Sequence, residues 1–176
     1  MSRHCPVDYL EDCLKHFWGH REFYSIDLYG DELAQPIESF IPFYEKAAEN
    51  GLVLKAHVGE WGTARDIVTA VKALHLDEVQ HGIAAVWDES VIDFLRENKI
   101  RLNIPPSSNV LLGRVTDMEH HPIAQLYRNG VDVTVNSDDV LIFDSDVSKE
   151  YLRLYQSGCL TAEELDDIRV KGLKHQ

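Results

Sequence analysis

The sequence predicts an α/β fold, a (β/α) TIM-type barrel represented only in part, with about five strand-helix units. Two observations carry this. Strand-like and helix-like segments alternate along the whole chain, which requires a parallel sheet with right-handed crossovers, either doubly wound or closed into a barrel. Polar, reactive residue types then recur just beyond the carboxyl ends of successive strands, the place where a barrel gathers its chemistry at one mouth. No Gly-x-Gly-x-x-Gly follows the first strand and no Gly-Lys-Ser/Thr occurs, so the dinucleotide and P-loop readings lack their phosphate cradle.

The elements follow in order. Phe23-Tyr24-Ser25-Ile26-Asp27-Leu28 reads as the first strand, and Ile37, Phe40, Ile41, Tyr44, Ala47 and Ala48 fall on one face of a helix that Asn50-Gly51 stops. Their aromatics are read as helix packing, not as a base-stacking platform. Leu52-Val53-Leu54-Lys55-Ala56-His57 is the second strand, with Ile67, Ala70, Val71 and Leu74 lining the next helix. A short third strand surrounds Glu78-Val79-Gln80, and its helix carries Val91, Ile92 and Leu95. Ile100-Arg101-Leu102-Asn103-Ile104 is the fourth strand, closed by Pro105-Pro106. A helix through Ile123, Leu126 and Tyr127 ends at Asn129-Gly130, before the fifth strand, Val131-Asp132-Val133-Thr134-Val135-Asn136. Two helices finish the chain, the first capped by Ser148 and the second opened by a capping box at Thr161-Ala162-Glu163-Glu164.

Composition limits the partners. With 176 residues, 44% of them hydrophobic, residues 1–176 are expected to form a single domain with one substantial core. Asp and Glu outnumber Lys and Arg by 30 to 17, and the formal charge of −13 repels phosphate backbones and anionic lipid heads. Nucleic acid and membrane are therefore excluded as expected partners. Cys5, Cys13 and Cys159 are odd in number, widely spaced and form no Cys-x-x-Cys, which fits a reducing compartment; the expected location is cytoplasmic.

The strand ends carry His57-Val58-Gly59-Glu60, His81-Gly82, Pro105-Pro106-Ser107-Ser108-Asn109 and Ser137-Asp138-Asp139. Three residues apart beyond a strand, one member of the His57/Glu60 pair can ligate a metal while the other reaches a bound substrate. Adjacent carboxylates at Asp138-Asp139 repel each other and cost stability unless a cation or hydrogen bonds compensate. His, Asp and Glu at one mouth suit Zn²⁺ or another divalent ion that acidifies a bound water. His81 can orient the resulting nucleophile or accept its proton.

In that order, His57-Val58-Gly59-Glu60, Gln80-His81-Gly82, Pro106-Ser107-Ser108-Asn109 and Asn136-Ser137-Asp138-Asp139 resemble the adenosine deaminase family of metal-dependent amidohydrolases, as does Asp27-Leu28-Tyr29-Gly30-Asp31-Glu32. The resemblance runs from about residue 23 to the end, and five ordered motifs make it specific jointly. It implies hydrolytic deamination of adenosine or a related aminopurine, with release of ammonia and one divalent zinc ion as cofactor. The metal ligands would be His57 and Asp138. Glu60 would protonate the purine ring nitrogen beside the carbon under attack, while His81, helped by Asp138, would position the hydroxide that the metal generates. On the substrate side, Asp139 would accept a hydrogen bond and the N–H of Gly30 would meet a ring nitrogen.

The family's first strand ends in His-x-His, supplying two further ligands, and this sequence contains no His-x-His. Five strands stand where a closed barrel has eight, and such barrels typically need about 250 residues. Met1 therefore reads as an internal position of a longer parent, with Ser2-Arg3-His4 just after that parent's third strand and Lys171–Gln176 ending in mid-helix. Gln80 stands where the family usually has Gly, and Val140 where it usually has Pro. Expected partners are a purine or nucleoside, and either the absent N-terminal half-barrel or a second copy. The alternative function is a catalytically inactive barrel fragment acting as a binding or interaction module. Other histidines are assigned bland roles. His16 and His20, four apart on a helix, are weighed as a replacement metal pair and set aside; His120-His121 reads as a solvated loop, and His75 as a polar helix end.

Overall fold

A computed structural model describes residues 1–174. His175 and Gln176, where the sequence reading ends the chain in mid-helix, lie outside the described residues. Five strands form one parallel sheet: β1 (Ser25–Leu28), β2 (Val53–Val58), β3 (Glu78–His81), β4 (Arg101–Ile104) and β5 (Val133–Val135). Their spatial order is β1-β2-β3-β4-β5, each strand beside its predecessor. A doubly wound sheet reverses direction at a switch point, so unbroken sequential order identifies barrel-type winding. Tyr29 also forms a parallel bridge with Ser2, so the first residues run along β1 and extend the sheet at that edge.

Helices follow the strands: α1 (Val7–Leu14) before β1, then α2 (Ile41–Glu49), α3 (Ala64–Leu74), α4 (Glu89–Glu97), α5 (Pro106–Leu111), α6 (Ile123–Arg128), α7 (Val140–Phe143), α8 (Val147–Gln156) and α9 (Ala162–Leu173). Strand alternation sorts the side chains. Ile26, Leu28, Leu54, Ala56, Val58, Val79, Leu102, Ile104, Val133 and Val135 are buried beneath the helix layer, where Ile67, Leu74, Leu95, Ile123 and Leu126 close the core. The opposite face is polar. A ladder crosses it from β2 toward β5: Lys55 Nζ lies 2.8 Å from Glu78, the Asn103 amide donates to Glu78 (2.7 Å), Thr134 Oγ1 donates to Asn103 Oδ1 (2.7 Å) and the Asn136 amide donates to Thr134 (2.6 Å). One apolar and one polar face are what a barrel wall needs when its inner surface leads to a reactive mouth.

Several local expectations are corrected. Proline at position 42 divides the first long helix into a 3₁₀ turn, Ile37–Phe40, and α2; Phe43 is buried, whereas Ala48 is exposed. Phe40, Phe43 and Tyr44 do pack in the core. The N-cap of α8 is Asp146, whose carboxylate accepts from the Lys149 N–H, so Ser148 lies inside the helix. Thr161 and Glu164 form the reciprocal capping box that their spacing predicts. His16 lies in the turn that follows α1 and His20 beyond it, so the two share no helix. His75 is the left-handed cap of α3, and Pro106 starts a helix immediately after the strand it was expected only to close.

Leu102 is fully buried on β4 in mid-sheet. Leu102→Ala should cost about 2–5 kcal/mol in urea unfolding, whereas a loss below about 1 kcal/mol would contradict the packing described.

Candidate active site at the carboxyl ends of the strands

The site begins with β1. Beyond it, Glu32 is buried, and its carboxylate turns toward the loop that follows β2. Oε2 accepts N–H bonds from Gly59 (2.8 Å) and Gly62 (3.2 Å); Oε1 accepts from Glu60 (2.7 Å) and Trp61 (2.9 Å). Four amide donors converge on one side chain, using the carboxylate's full accepting capacity. Gly59 permits the turn: its φ is +75°, and a Cβ there would stand 2.5 Å from Ile67 Cδ1.

The clamp sets the position of Glu60. Its side chain is mostly buried, Oε1 has no hydrogen-bond partner among the described residues, and Oε2 lies 3.6 Å from His81 Nε2. Burial first, and then the charges of Asp138 and Glu32, push the Glu60 carboxyl up to about 7. A carboxyl that keeps its proton near neutrality is a general acid poised for use.

His57 lies at the carboxyl end of β2. Its Nδ1 stands 3.3 Å from Asp27 of β1, so the carboxylate orients the ring and leaves Nε2 available. Burial alone would lower the His57 pKa, but the hydrogen bond and charge of Asp27 outweigh it and raise it. Strand alternation would put His81 on the face of Val79; instead His81 has φ +66° where the chain leaves β3, and its ring centroid lies 5.4 Å from that of His57. A non-glycine residue in this region is strained, and such strain concentrates at functional positions. Gly82 follows with φ +65°, where a Cβ would meet Leu102 at 2.7 Å. Burial, followed by the neighbouring charge of His57, lowers His81 to about 4.

Asp138 reaches the same group from β5. Its Oδ2 accepts from Ser108 Oγ (2.7 Å) and its Oδ1 from the Asp139 N–H (2.9 Å). Asp139 turns elsewhere: Oδ1 accepts from the Leu141 and Ile142 N–H groups and caps α7. Hydrogen bonds therefore stabilise both adjacent carboxylates. Gly30, with φ +102°, lies exposed just past β1, where a Cβ would stand 3.1 Å from the His4 ring. Thus His57, Glu60, His81 and Asp138 come together, while Asp139 is engaged in a helix cap.

For a metal, the donors fit zinc in kind but not in number. His57 and Asp138 offer the imidazole nitrogen and carboxylate oxygen that zinc accepts, yet among the described residues no group of three or more His, Cys, Asp or Glu side chains could hold an ion. Sequence reasoning missed Asp27, Glu32 and Asn109 as contributors although it quoted all three within motifs, and it placed His121 in solvent. His121 is buried, whereas its neighbour His120 is exposed and paired with Asp117 (2.8 Å). The bond network reveals these residues; nothing in their spacing does.

The sequence model of the adenosine deaminase family matches residues 9–176. This chain belongs to the adenosine deaminase family. An adenine deaminase of Vibrio parahaemolyticus is 33% identical over 173 residues, covering 98% of this chain and 50% of that protein. An adenosine deaminase of Serratia proteamaculans is 32% identical over 166 residues, covering 92% of this chain and 50% of that one. Among solved structures, adenine deaminase from Arthrobacter aurescens superimposes with a TM-score of 0.91 at 29% identity, over 99% of this chain and 54% of its own. An amidohydrolase from Burkholderia ambifaria, solved with bound Zn, gives a TM-score of 0.86 at 24% identity over 99% of this chain and 50% of its own, a likeness of fold. The chain spans about half the length of the curated relatives it matches. As an adenosine deaminase family member, it has the sequential parallel sheet of an incomplete barrel.

Two outcomes follow. Glu32→Gln would present two amide donors and one acceptor to four inward-facing N–H groups, so it should cost about 2 kcal/mol or more in urea unfolding and speed hydrogen exchange at residues 59–62. Unchanged stability and exchange would refute the clamp. Because Glu60 binds its proton more tightly folded (about 7) than at its ordinary 4.5, its contribution is complete below 4.5 and is lost as pH rises through 7. The urea midpoint of wild type should therefore fall relative to Glu60→Gln across that window; parallel pH profiles would contradict the raised value.

Proposed function

We propose that this chain carries the acid and orienting half of a metal-dependent active site that hydrolytically deaminates adenosine, adenine or a related aminopurine. The observation supporting this most directly is the buried Glu60 carboxyl, pushed up to about 7, with one oxygen unpartnered and the other beside His81. Removing an amino group from an aromatic purine requires a proton at the adjacent ring nitrogen, so that attack at carbon does not build uncompensated negative charge. Glu60 supplies that proton from Oε1. His81 then orients the attacking oxygen from the opposite side of the carboxyl, and Asp138, held by Ser108, fixes the direction from which it approaches. Asp27 holds the His57 ring for ligation. When bound, the zinc ion would lower the pKa of water and polarise the reacting centre. His57 and Asp138 would hold it, together with ligands from outside the described residues.

Asp139 and Gly30 complete the proposal as substrate contacts, with Asp139 sharing its carboxylate between the purine and the α7 cap. The acidic sheet mouth favours a neutral base or nucleoside over nucleic acid.

Purified alone, the chain should bind zinc weakly and release negligible ammonia from adenine or adenosine. Fused behind the upstream half of the Vibrio parahaemolyticus relative, it should release ammonia, and Glu60→Gln should lower that rate by about 100- to 10,000-fold. A folded, zinc-loaded chimera without activity would favour the inactive interaction module; a near-normal rate in Glu60→Gln would overturn the assignment of the acid.

A further inference from the structure

Behind His81 runs a buried line of side chains that the proposed reaction does not use. His81 Nδ1 lies 2.9 Å from Asn109 Nδ2, Asn109 Oδ1 lies 3.3 Å from His121 Nε2, and His121 Nδ1 lies 3.1 Å from the backbone nitrogen of Ile123. All three residues are at most 2% exposed. They come from three separate parts of the chain, the end of β3, helix α5 and the segment before α6.

The line has only one consistent direction. A backbone N–H can only donate, so His121 Nδ1 must be the bare, accepting nitrogen of its ring. The His121 proton then sits on Nε2 and donates to the Asn109 oxygen, while burial, which lowers this ring to about 3, keeps it neutral. With its oxygen committed, the Asn109 amide turns its NH₂ toward His81, and reversing it would set two donors against each other. His81 Nδ1 must consequently accept, which places the ring proton on Nε2, the nitrogen facing Glu60.

We propose that His121 and Asn109 are positioning residues: through this directional line, the Ile123 amide fixes His81 as its Nε2–H tautomer. His81 then offers a hydrogen-bond donor, not a base, to whatever lies beside Glu60. This inference deepens the proposed reading of the same mouth, but the tautomer is a property of the chain itself and can be read without metal, substrate or turnover.

The test is two-bond ¹H–¹⁵N correlation spectroscopy on the ¹⁵N-labelled 176-residue chain at neutral pH, with site assignment by single substitution. In wild type, His81 and His121 should each show a bare, pyridine-type Nδ1 and a protonated, pyrrole-type Nε2. Asn109→Asp, nearly isosteric but without the donor, should shift the His81 proton to Nδ1. His121→Gln, whose side-chain amide can replace the Nε2 donor, should keep the wild-type pattern at His81, whereas His121→Phe should lose the single tautomer. Should His121→Phe fail to fold, wild type and Asn109→Asp still decide. A wild-type His81 protonated at Nδ1, or a pattern unmoved by Asn109→Asp in a folded chain, would overturn the proposal. Either result would leave the deaminase reading to its own chimera assay, just as an inactive chimera would not alter the tautomer.

Discussion

The mouth of this sheet depends on one buried carboxylate. Loops that leave parallel strands have few backbone partners of their own, and amides buried without an acceptor are costly. Glu32 resolves this for residues 59–62 by accepting four N–H groups from one turn. The same carboxylate adds negative charge beside Glu60, so it shapes the backbone of the loop and supports the proton affinity of the side chain that the loop carries. Structure and acidity at this point have a common origin, which is why a charged residue is buried where an apolar one would pack more simply.

Opposite demands meet along the strands. Toward the helices the sheet is continuous with the core, and toward the other side it carries a hydrogen-bonded ladder from Lys55 to Asn136. At the carboxyl ends the alternation is deliberately broken. His81 takes a left-handed conformation and Gly82 continues it, turning an imidazole from the strand end toward Glu60 and His57. Behind it, the Asn109–His121 line gives partners to His81 Nδ1 and to both ring nitrogens of His121. Ser108, next to Asn109 on α5, holds Asp138 in turn, so one short helix supports two members of the site.

The sheet was legible because hydrophobic period and turn residues act locally. β1, β4 and β5 fall within the segments read from alternation and Gly/Pro punctuation, β2 and β3 each run one residue further, to Val58 and His81, and the Thr161 box follows from residue spacing alone. His57, Glu60, His81 and Asp138 were legible because chemistry at successive strand ends is itself a sequence pattern. What escaped depends on contacts distant in sequence. The partners of Glu32 lie 27 to 30 residues away, and His121 meets Asn109 across 12 residues that follow neither helix nor strand period, so local pattern reveals neither interaction. Asp139 sits in a motif that implies a substrate contact, and its Oδ1 also accepts from the Leu141 and Ile142 N–H groups of α7, a local cap the sequence reading did not assign.

The loop geometry after β2 places the Glu60 carboxyl at the strand mouth, where burial and the charges of Asp138 and Glu32 favour its protonated form. Direct ¹³C titration of the Glu60 side-chain carboxyl in the chain tests it most closely. A midpoint near 7 is the predicted result. A midpoint at the ordinary 4.5 in a folded chain would contradict it.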